Sequence, residues 1–343
     1  MMDPRERTLL EGTWFPVARS EDLTGGVIAG NILGRALVVY RVDGVTTVAD
    51  AACPHRGAAL PMGRIREGAL ECPYHGWLFS AGSGRCVEVP SLPEGARPPR
   101  VALRTYPTRE TYGHVWACLG EPVLPLPTLA DWAVPGWQYG FGVPTDLACG
   151  MRQLTENFRD MAHFPFVHTE TMGHNVRREV APYHVERDGY ELRWTLGTDL
   201  GGSALNGNTP LATGQTLTYH LALPMFTYIR TRFPDGGRRL VAQFATPITA
   251  DGDRVRQFWV VGIDEVVATT HGVSIEEMWE YERQIFAEDH PIVENQWPAE
   301  APLDVHAQAH TRADRYGIVY RQVYLELLDR LVREPSLTGG ASR

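Results

Sequence analysis

At 343 residues, with 43% hydrophobic and 21% charged side chains, the chain is long enough for two domains and apolar enough to bury a sizeable core. A net charge of −9 argues against a nucleic-acid-binding surface and against a basic membrane-facing one. No apolar run approaches the ~18 residues of a membrane span, so no membrane partner is expected. The opening residues lead into Trp14-Phe15-Pro16-Val17 without an apolar signal core, so no secretory peptide is expected either. Five cysteines without a disulfide framework suit the reducing cytoplasm.

The first half reads as β structure. Arg35 to Arg41 and Val45 to Ala49 flank Asp43-Gly44, a pair that supplies the positive φ angles of a tight hairpin turn. The hairpin delivers the chain to Cys53-Pro54-His55. After sixteen intervening residues beyond His55 comes Cys72-Pro73-Tyr74-His75-Gly76-Trp77. Two Cys-plus-His pairs form the ligand set of a Rieske-type [2Fe-2S] cluster, in which two thiolates hold one iron and two imidazoles the other. Zinc competes as a reading, but structural zinc knuckles pair their ligands differently, and the first pair here has one residue between Cys and His. Gly57 and Gly76 stand where the loops must turn tightly. Leu78 to Val89 and His114 to Leu119 supply further strand candidates. A proline-dense connection, with Pro122, Pro125, Pro127 and Pro135, then marks the domain boundary, which we place at residues 135/136.

A second chemical segment follows. From Cys149 the pattern is helical, and Asn157, Asp160 and His163 recur every three residues along one face. His163 and His168 would point apart on a regular helix. Pro165 predicts that the helix ends or kinks between them, allowing both imidazoles to reach one ion. Beyond Asp188 the pattern returns to β: Tyr190 to Leu196, Leu217 to Phe233, Arg239 to Ile248 and Arg254 to Ile263, consistent with one antiparallel sheet. Two long helices are predicted, Ser274 to Gln296 behind a Ser274/Glu277 capping box, and Ala313 to Arg333.

Two imidazoles and one carboxylate make the facial triad of mononuclear non-haem iron. Asp289 is the expected carboxylate, because Pro291 is expected to kink its helix next to it; an exposed acidic helix turn is the competing reading. Glu288 is expected to be dispensable for the metal. Ile285, Phe286 and Val293 share roughly the Asp289 face and are expected to line a substrate pocket, with further walls from Leu205 to Phe233. Arg97, Arg100, Arg104 and Arg109 form a basic stretch suited either to an acidic ferredoxin or simply to solvent. Gly25 to Gly30 lacks the spacing of a dinucleotide fingerprint, so NAD(P)H is expected to act through a separate reductase, with or without a ferredoxin.

Taken together, the opening Trp14 to Ala18, both cluster loops, the Asn157/Asp160/His163/His168 segment, the Glu288-Asp289 helix and the Ala313 to Arg321 segment resemble the Rieske non-haem iron oxygenases. These are the large subunits of aromatic ring-hydroxylating and demethylating enzymes. The resemblance implies an α+β chain: residues 1–135 a Rieske β domain, residues 136–343 a helix-grip catalytic domain with an antiparallel sheet. It implies that Cys53 and Cys72 hold one cluster iron, that His55 and His75 hold the other, and that His163, His168 and Asp289 hold Fe(II). Asp160 would bridge His163 to His75 of a neighbouring copy in a homotrimer, and Asn157 would belong to the same catalytic stripe. The implied reaction uses O2 and external electrons to monooxygenate an aromatic or polycyclic small molecule, by hydroxylation or O-/N-demethylation. Aromatic cis-dihydroxylation is the alternative within the family, and a Rieske electron carrier or redox sensor the alternative outside it.

Overall fold

The computed structural model describes residues 2–172, 176–198, 203–205, 209–211 and 214–333. They divide into two compact units, one within residues 2–126 and 246–251, the other within residues 127–245 and 252–333. The division falls inside the proline-dense run between Pro122 and Pro135. Among the described residues no helix is long and apolar enough to cross a membrane.

The first unit is built from small antiparallel sheets. The predicted hairpin is present: Arg35–Val42 pairs with Val45–Asp50, Val42 opposite Val45. Asp43 (φ 48°) and Gly44 (φ 78°) both take the left-handed conformation that matches the twist of the strands. Val38, Tyr40 and Ala49 from this hairpin meet Leu60, Leu70 and Phe79 in one buried cluster that also contains Cys53 and Cys72. Burying each large aliphatic side chain there contributes roughly 1.5–3 kcal/mol. A four-stranded sheet of Arg64–Arg66, Ala69–Glu71, Leu78–Phe79 and Cys86–Glu88 carries the second cysteine loop between its second and third strands.

The second unit centres on an eight-stranded antiparallel sheet. Its order is Gln138–Phe141, Val255–Ile263, Arg238–Pro247, Phe226–Arg232, Gln215–Ala222, Glu191–Thr198, Glu186–Asp188, with Thr145–Leu147 also paired to Val255–Ile263. The stretch read as continuous from Leu217 to Phe233 is two strands of a hairpin. Pro224, which lacks the N–H that a ladder needs, stands in the turn between them. Burial alternates along Gln215–Ala222, odd residues inward. Two helices cover that inward face. Ile275–Val293 packs Met278, Tyr281, Ile285 and Phe286 onto Val241, Trp259 and Val261. Arg315–Arg333 places Tyr316 against Trp194, which also stacks on Tyr219, both at 5.1 Å.

Polar groups cross the same inward face in an ordered chain. His290 Nε2 donates to Gln257 Oε1 (2.9 Å), Gln257 Nε2 to Gln243 Oε1 (2.7 Å), and Gln243 Nε2 to the Leu154 carbonyl (3.1 Å). A carbonyl can only accept, so the sense of the whole chain follows from its end. The capping box at Ser274 and Glu277 is formed as expected. The helix it opens continues to Val293, so Pro291 does not end it; Pro291 falls in the last turn, where its missing donor removes one helical bond.

Candidate active site

The two Cys-His loops close their backbones in the same way. Cys53 N–H donates to Ala58 O (2.9 Å) and Gly57 N–H to Cys53 O (2.8 Å). In the second loop Cys72 N–H donates to Trp77 O (2.8 Å) and Gly76 N–H to Cys72 O (3.0 Å). Gly57 and Gly76 have φ of 71° and 68°, a conformation that favours glycine. Both cysteines are buried, whereas His55 and His75 are exposed with ring centroids 4.7 Å apart. Trp77 stacks on His55 at 4.4 Å and Tyr74 tilts against His75 at 3.8 Å. Burial first, with the adjacent Cys72 thiol, pushes the Cys53 thiol up to about 11. A thiol so raised becomes a thiolate only beside a cation. Sulfurs inside and imidazoles outside fit a cluster with one iron buried and the other at the surface.

The second constellation is assembled over long range. His163 Nε2 and His168 Nε2 lie 3.0 Å apart, and Asp289 Oδ1 is 3.4 Å from the first and 3.5 Å from the second. Three donors with these spacings fit one ion at about 2.1 Å from each, with angles of roughly 90–115°. They are the one group of three or more His, Cys, Asp or Glu donors found to converge in this way among the described residues.

The local route to this geometry differs from the expected one. The helix spans Met151–Asn157 and ends there, ahead of Asp160, rather than between the histidines. Asp160 Oδ1 accepts from Ala162 N–H (2.8 Å), a local turn that competes with helical bonding. Pro165 then lies in the first turn of a short helix, Phe164–Val167, where its missing N–H removes no bond. His163 and His168 are the two caps of that turn. The Met151–Asn157 helix is itself anchored: Arg321 holds Glu156 through two bonds of 2.7 Å, and Tyr316 Oη donates to the Glu156 carbonyl at 2.7 Å.

Neighbouring groups orient all three donors. Asp160 Oδ2 faces His163 Nδ1 at 3.3 Å, and Asn157 Nδ2 donates to Asp289 Oδ1 at 3.3 Å. Glu288 Oε2 takes His168 Nδ1–H at 2.8 Å and also accepts from Thr171 Oγ1 (2.7 Å), while Glu288 Oε1 accepts from Thr171 N–H (3.2 Å). Glu288 therefore holds His168 from behind without being one of the three converging donors. An imidazole presenting one nitrogen to a metal needs an acceptor for the other, and that requirement was the available signal. Burial opposes charge on His163, yet Asp160 and Asp289 outweigh it and raise its pKa to about 9. His168 is lowered, burial foremost. The acidic groups thus favour positive charge at His163, where a metal cation would sit, which is the donor chemistry a cation site requires.

Ile285 and Phe286 belong to the apolar cluster between helix and sheet, and Val293 is fully buried. Of the expected wall from Leu205 to Phe233, residues 206–208, 212 and 213 lie outside the described residues. Arg97, Arg100, Arg104 and Arg109 are all exposed; Arg104 lies over Tyr106 and Arg109 over Trp14.

A buried-thiol, exposed-imidazole pair of loops followed by a His-His-Asp site on a helix-covered antiparallel sheet defines an oxygenase that couples an iron–sulfur cluster to a mononuclear iron. Residues 13–107 match the Rieske [2Fe-2S] domain family and residues 147–330 the vanillate O-demethylase oxygenase C-terminal domain family. The chain belongs to the Rieske non-haem iron oxygenases, oxidoreductases with a [2Fe-2S] cluster and a mononuclear iron. It is 25% identical to methylxanthine N3-demethylase NdmB of Pseudomonas putida over 94% of this chain and 90% of that one. It is 35% identical to the 5,5'-dehydrodivanillate O-demethylase oxygenase subunit of Sphingobium sp. over 51% of this chain and 42% of that one. Among solved structures, Pseudomonas putida NdmA with caffeine superposes with a TM-score of 0.80 at 22% identity, covering 95% of this chain and 93% of that one. Dicamba monooxygenase bound to dicamba superposes at 0.76 and 21% identity, covering 94% and 99%.

Proposed function

We propose that the protein is the terminal oxygenase of a multicomponent system, and that it monooxygenates an aromatic or polycyclic small molecule by hydroxylation or oxidative O- or N-demethylation. The observation that carries this reading is the convergence of His163, His168 and Asp289 within 4.8 Å of one another, downstream of two Cys-His loops. Iron held there supplies the binding and activation of O2, with electrons arriving one at a time from the cluster. The chain's own residues do the rest. Cys53 and Cys72 would hold the buried cluster iron and His55 and His75 the exposed one. Glu288 and Asp160 each hold one imidazole in the tautomer that presents Nε2, and Asn157 steadies the Asp289 oxygen that faces both histidines.

The relatives include oxidoreductase NdmD of Pseudomonas putida, 37% identical over 32% of this chain. Together with the "oxygenase subunit" naming of other relatives, this supports a separate NAD(P)H-linked reductase, with or without a ferredoxin. A homotrimer accords with Asp160, which is 27% exposed, so that one carboxylate can serve His163 and also His75 of a neighbouring copy. Five free cysteines accord with a cytoplasmic location. Residues 1–135 and 136–343 are proposed as the cluster-bearing and catalytic portions.

Iron and sulfide analysis of the purified protein tests the class. About three irons per chain are expected; about two would leave an electron carrier. Product analysis with aromatic ethers and N-methyl compounds tests the reaction. Formaldehyde release in step with O2 uptake is expected for demethylation, whereas a cis-diol product would replace this reading by ring dihydroxylation.

A further inference from the structure

The inward face of the catalytic sheet carries two sets of buried polar groups that differ in one respect. The His290–Gln257–Gln243 chain is hydrogen-bonded end to end. The other set is not. Tyr219 Oη, Thr231 Oγ1, Arg239 Nε and Glu282 Oε1 are all buried without a hydrogen-bond partner. Leaving such groups unsatisfied is unfavourable, and native interiors rarely contain several of them together unless a water or a ligand completes them.

These four groups are neighbours. Thr231 and Arg239 face each other across the strands Phe226–Arg232 and Arg238–Pro247. Arg239 Nη1 lies 3.0 Å from Glu282 Oε1 in an ion pair without hydrogen-bond alignment. Burial foremost pushes the Tyr219 hydroxyl well above its usual value, and the nearby Arg239 charge opposes that. Between Tyr219 and Val241 in register stands Ile229, which points inward yet is only partly buried, while Tyr219 and Val241 are 0% and 4% exposed. The face is therefore not sealed at that point. Glu282 precedes Asp289 by seven residues on one helix, hence on the same face and about 10 Å along its axis. A two-ring molecule can span that interval with one end at the proposed iron ligand and the other at the ion pair.

We propose that Arg239 and Glu282, with Tyr219 and Thr231, form the recognition end of the substrate pocket and select an uncharged ring in which a hydrogen-bond acceptor adjoins an N–H donor, as in a cyclic imide. The assignment rests on the oxygenase reading. A guanidinium beside a carboxylate offers a donor and an acceptor side by side, which a C=O next to an N–H complements in one plane. The pair already balances its own charge. A carboxylate-bearing substrate would find no surplus positive charge there and would meet Glu282 as a like charge, so the same residues select against acids.

Three probes separate the possibilities: theobromine, whose ring carries an imide N–H; caffeine, in which that N–H is methylated; and dicamba, a carboxylate. Each is titrated calorimetrically into the cluster- and iron-loaded protein. Theobromine is expected to bind at least tenfold more tightly than caffeine, and dicamba more weakly than either. In the double variant Arg239→Met/Glu282→Met, which strands no lone buried charge, the theobromine preference should shrink below about threefold. Glu282→Gln, which keeps an acceptor in place, should retain part of it. Caffeine binding as well as theobromine, dicamba binding best, no binding of any probe at millimolar concentration, or a preference untouched in the double variant would each overturn the proposal. So would a crystal structure with theobromine in which ordered water alone meets the four groups. Iron content of the same samples reads the oxygenase assignment separately: about three irons without a binding preference removes only the pocket proposal, about two removes the assignment.

Discussion

The two proposed metal centres solve the same problem by opposite means. In the cluster region, four donors come from two loops that repeat one hydrogen-bond pattern, and each loop is complete within six residues. At the His-His-Asp site, one helical turn supplies two imidazoles and a helix more than a hundred residues later supplies the carboxylate. The first arrangement is local and half exposed; the second is long-range and buried. A local ligand set can be written into a short motif, whereas a long-range one exists only when a sheet and two helices have docked. The cluster loops should therefore tolerate damage elsewhere in the chain, and the triad should not.

The strongest test of that contrast removes one triad member. Asp289→Ala or His163→Ala is expected to lower iron from about three to about two per chain and product formation by at least about a hundredfold, with the cluster absorption retained. Loss of the cluster spectrum as well would mean that the two centres are not independent.

Mixed oligomers sharpen the comparison, because they ask which cluster serves which iron. Coexpressed Cys53→Ser and His163→Ala chains, each inactive alone, are expected to recover turnover if electrons cross between copies. Asp160→Asn placed on the Cys53→Ser chain should abolish the rescue. Demonstrably mixed oligomers that stay inactive would assign transfer to a single chain.

On the cluster side, His55→Cys or His75→Cys exchanges a neutral ligand for an anionic one. The reduction potential should fall by up to a few hundred mV, read by redox titration. An unchanged potential would remove that histidine from the ligand set. On the triad side, Glu288→Gln replaces the acceptor of His168 Nδ1–H by a weaker one, and iron affinity should drop about 10- to 100-fold while the fold melts as before.

A test away from both centres concerns His114, fully buried and lowered to about 4, burial being the foremost cause. An unfolded histidine takes up a proton below its usual value of about 6.5, and the folded one resists until about 4. This group's contribution is therefore full above pH 6.5 and declines as pH falls toward 4, by about 1.4 kcal/mol per unit at most. Denaturant melts of His114→Gln against the parent should show a shallower loss between pH 6.5 and 4; parallel curves would clear His114 of the effect.

What the sequence revealed follows the same divide. The Asp43-Gly44 hairpin, the Ser274/Glu277 capping box and the Cys-His loops are all local, and each has a motif that states its own geometry. The errors are non-local or competitive. The spacing of Asp160 fits a helix face, but the helix ends at Asn157 and the Asp160 carboxylate bonds the Ala162 amide in a local turn. Pro165 has the sequence signature of a breaker between the histidines, yet it starts the turn that joins them. The hold of Glu288 on His168 is invisible in sequence, because nothing within its own helix discloses that Thr171 and His168 dock against it.

The His290–Gln257–Gln243 chain bears on how a protein with twelve histidines chooses its metal ligands. His290 directly follows Asp289 and, on composition alone, is as good a donor as His163 or His168. Its Nε2, however, carries a proton dictated from a distance, because the Leu154 carbonyl at the far end of the row admits one polarity only. A bystander imidazole is thereby restricted: its Nε2 is protonated and donates to an amide oxygen, which leaves that nitrogen no lone pair for the ion. Ligand choice at this centre is thus made as much by which nitrogens the surrounding scaffold withholds as by which it presents.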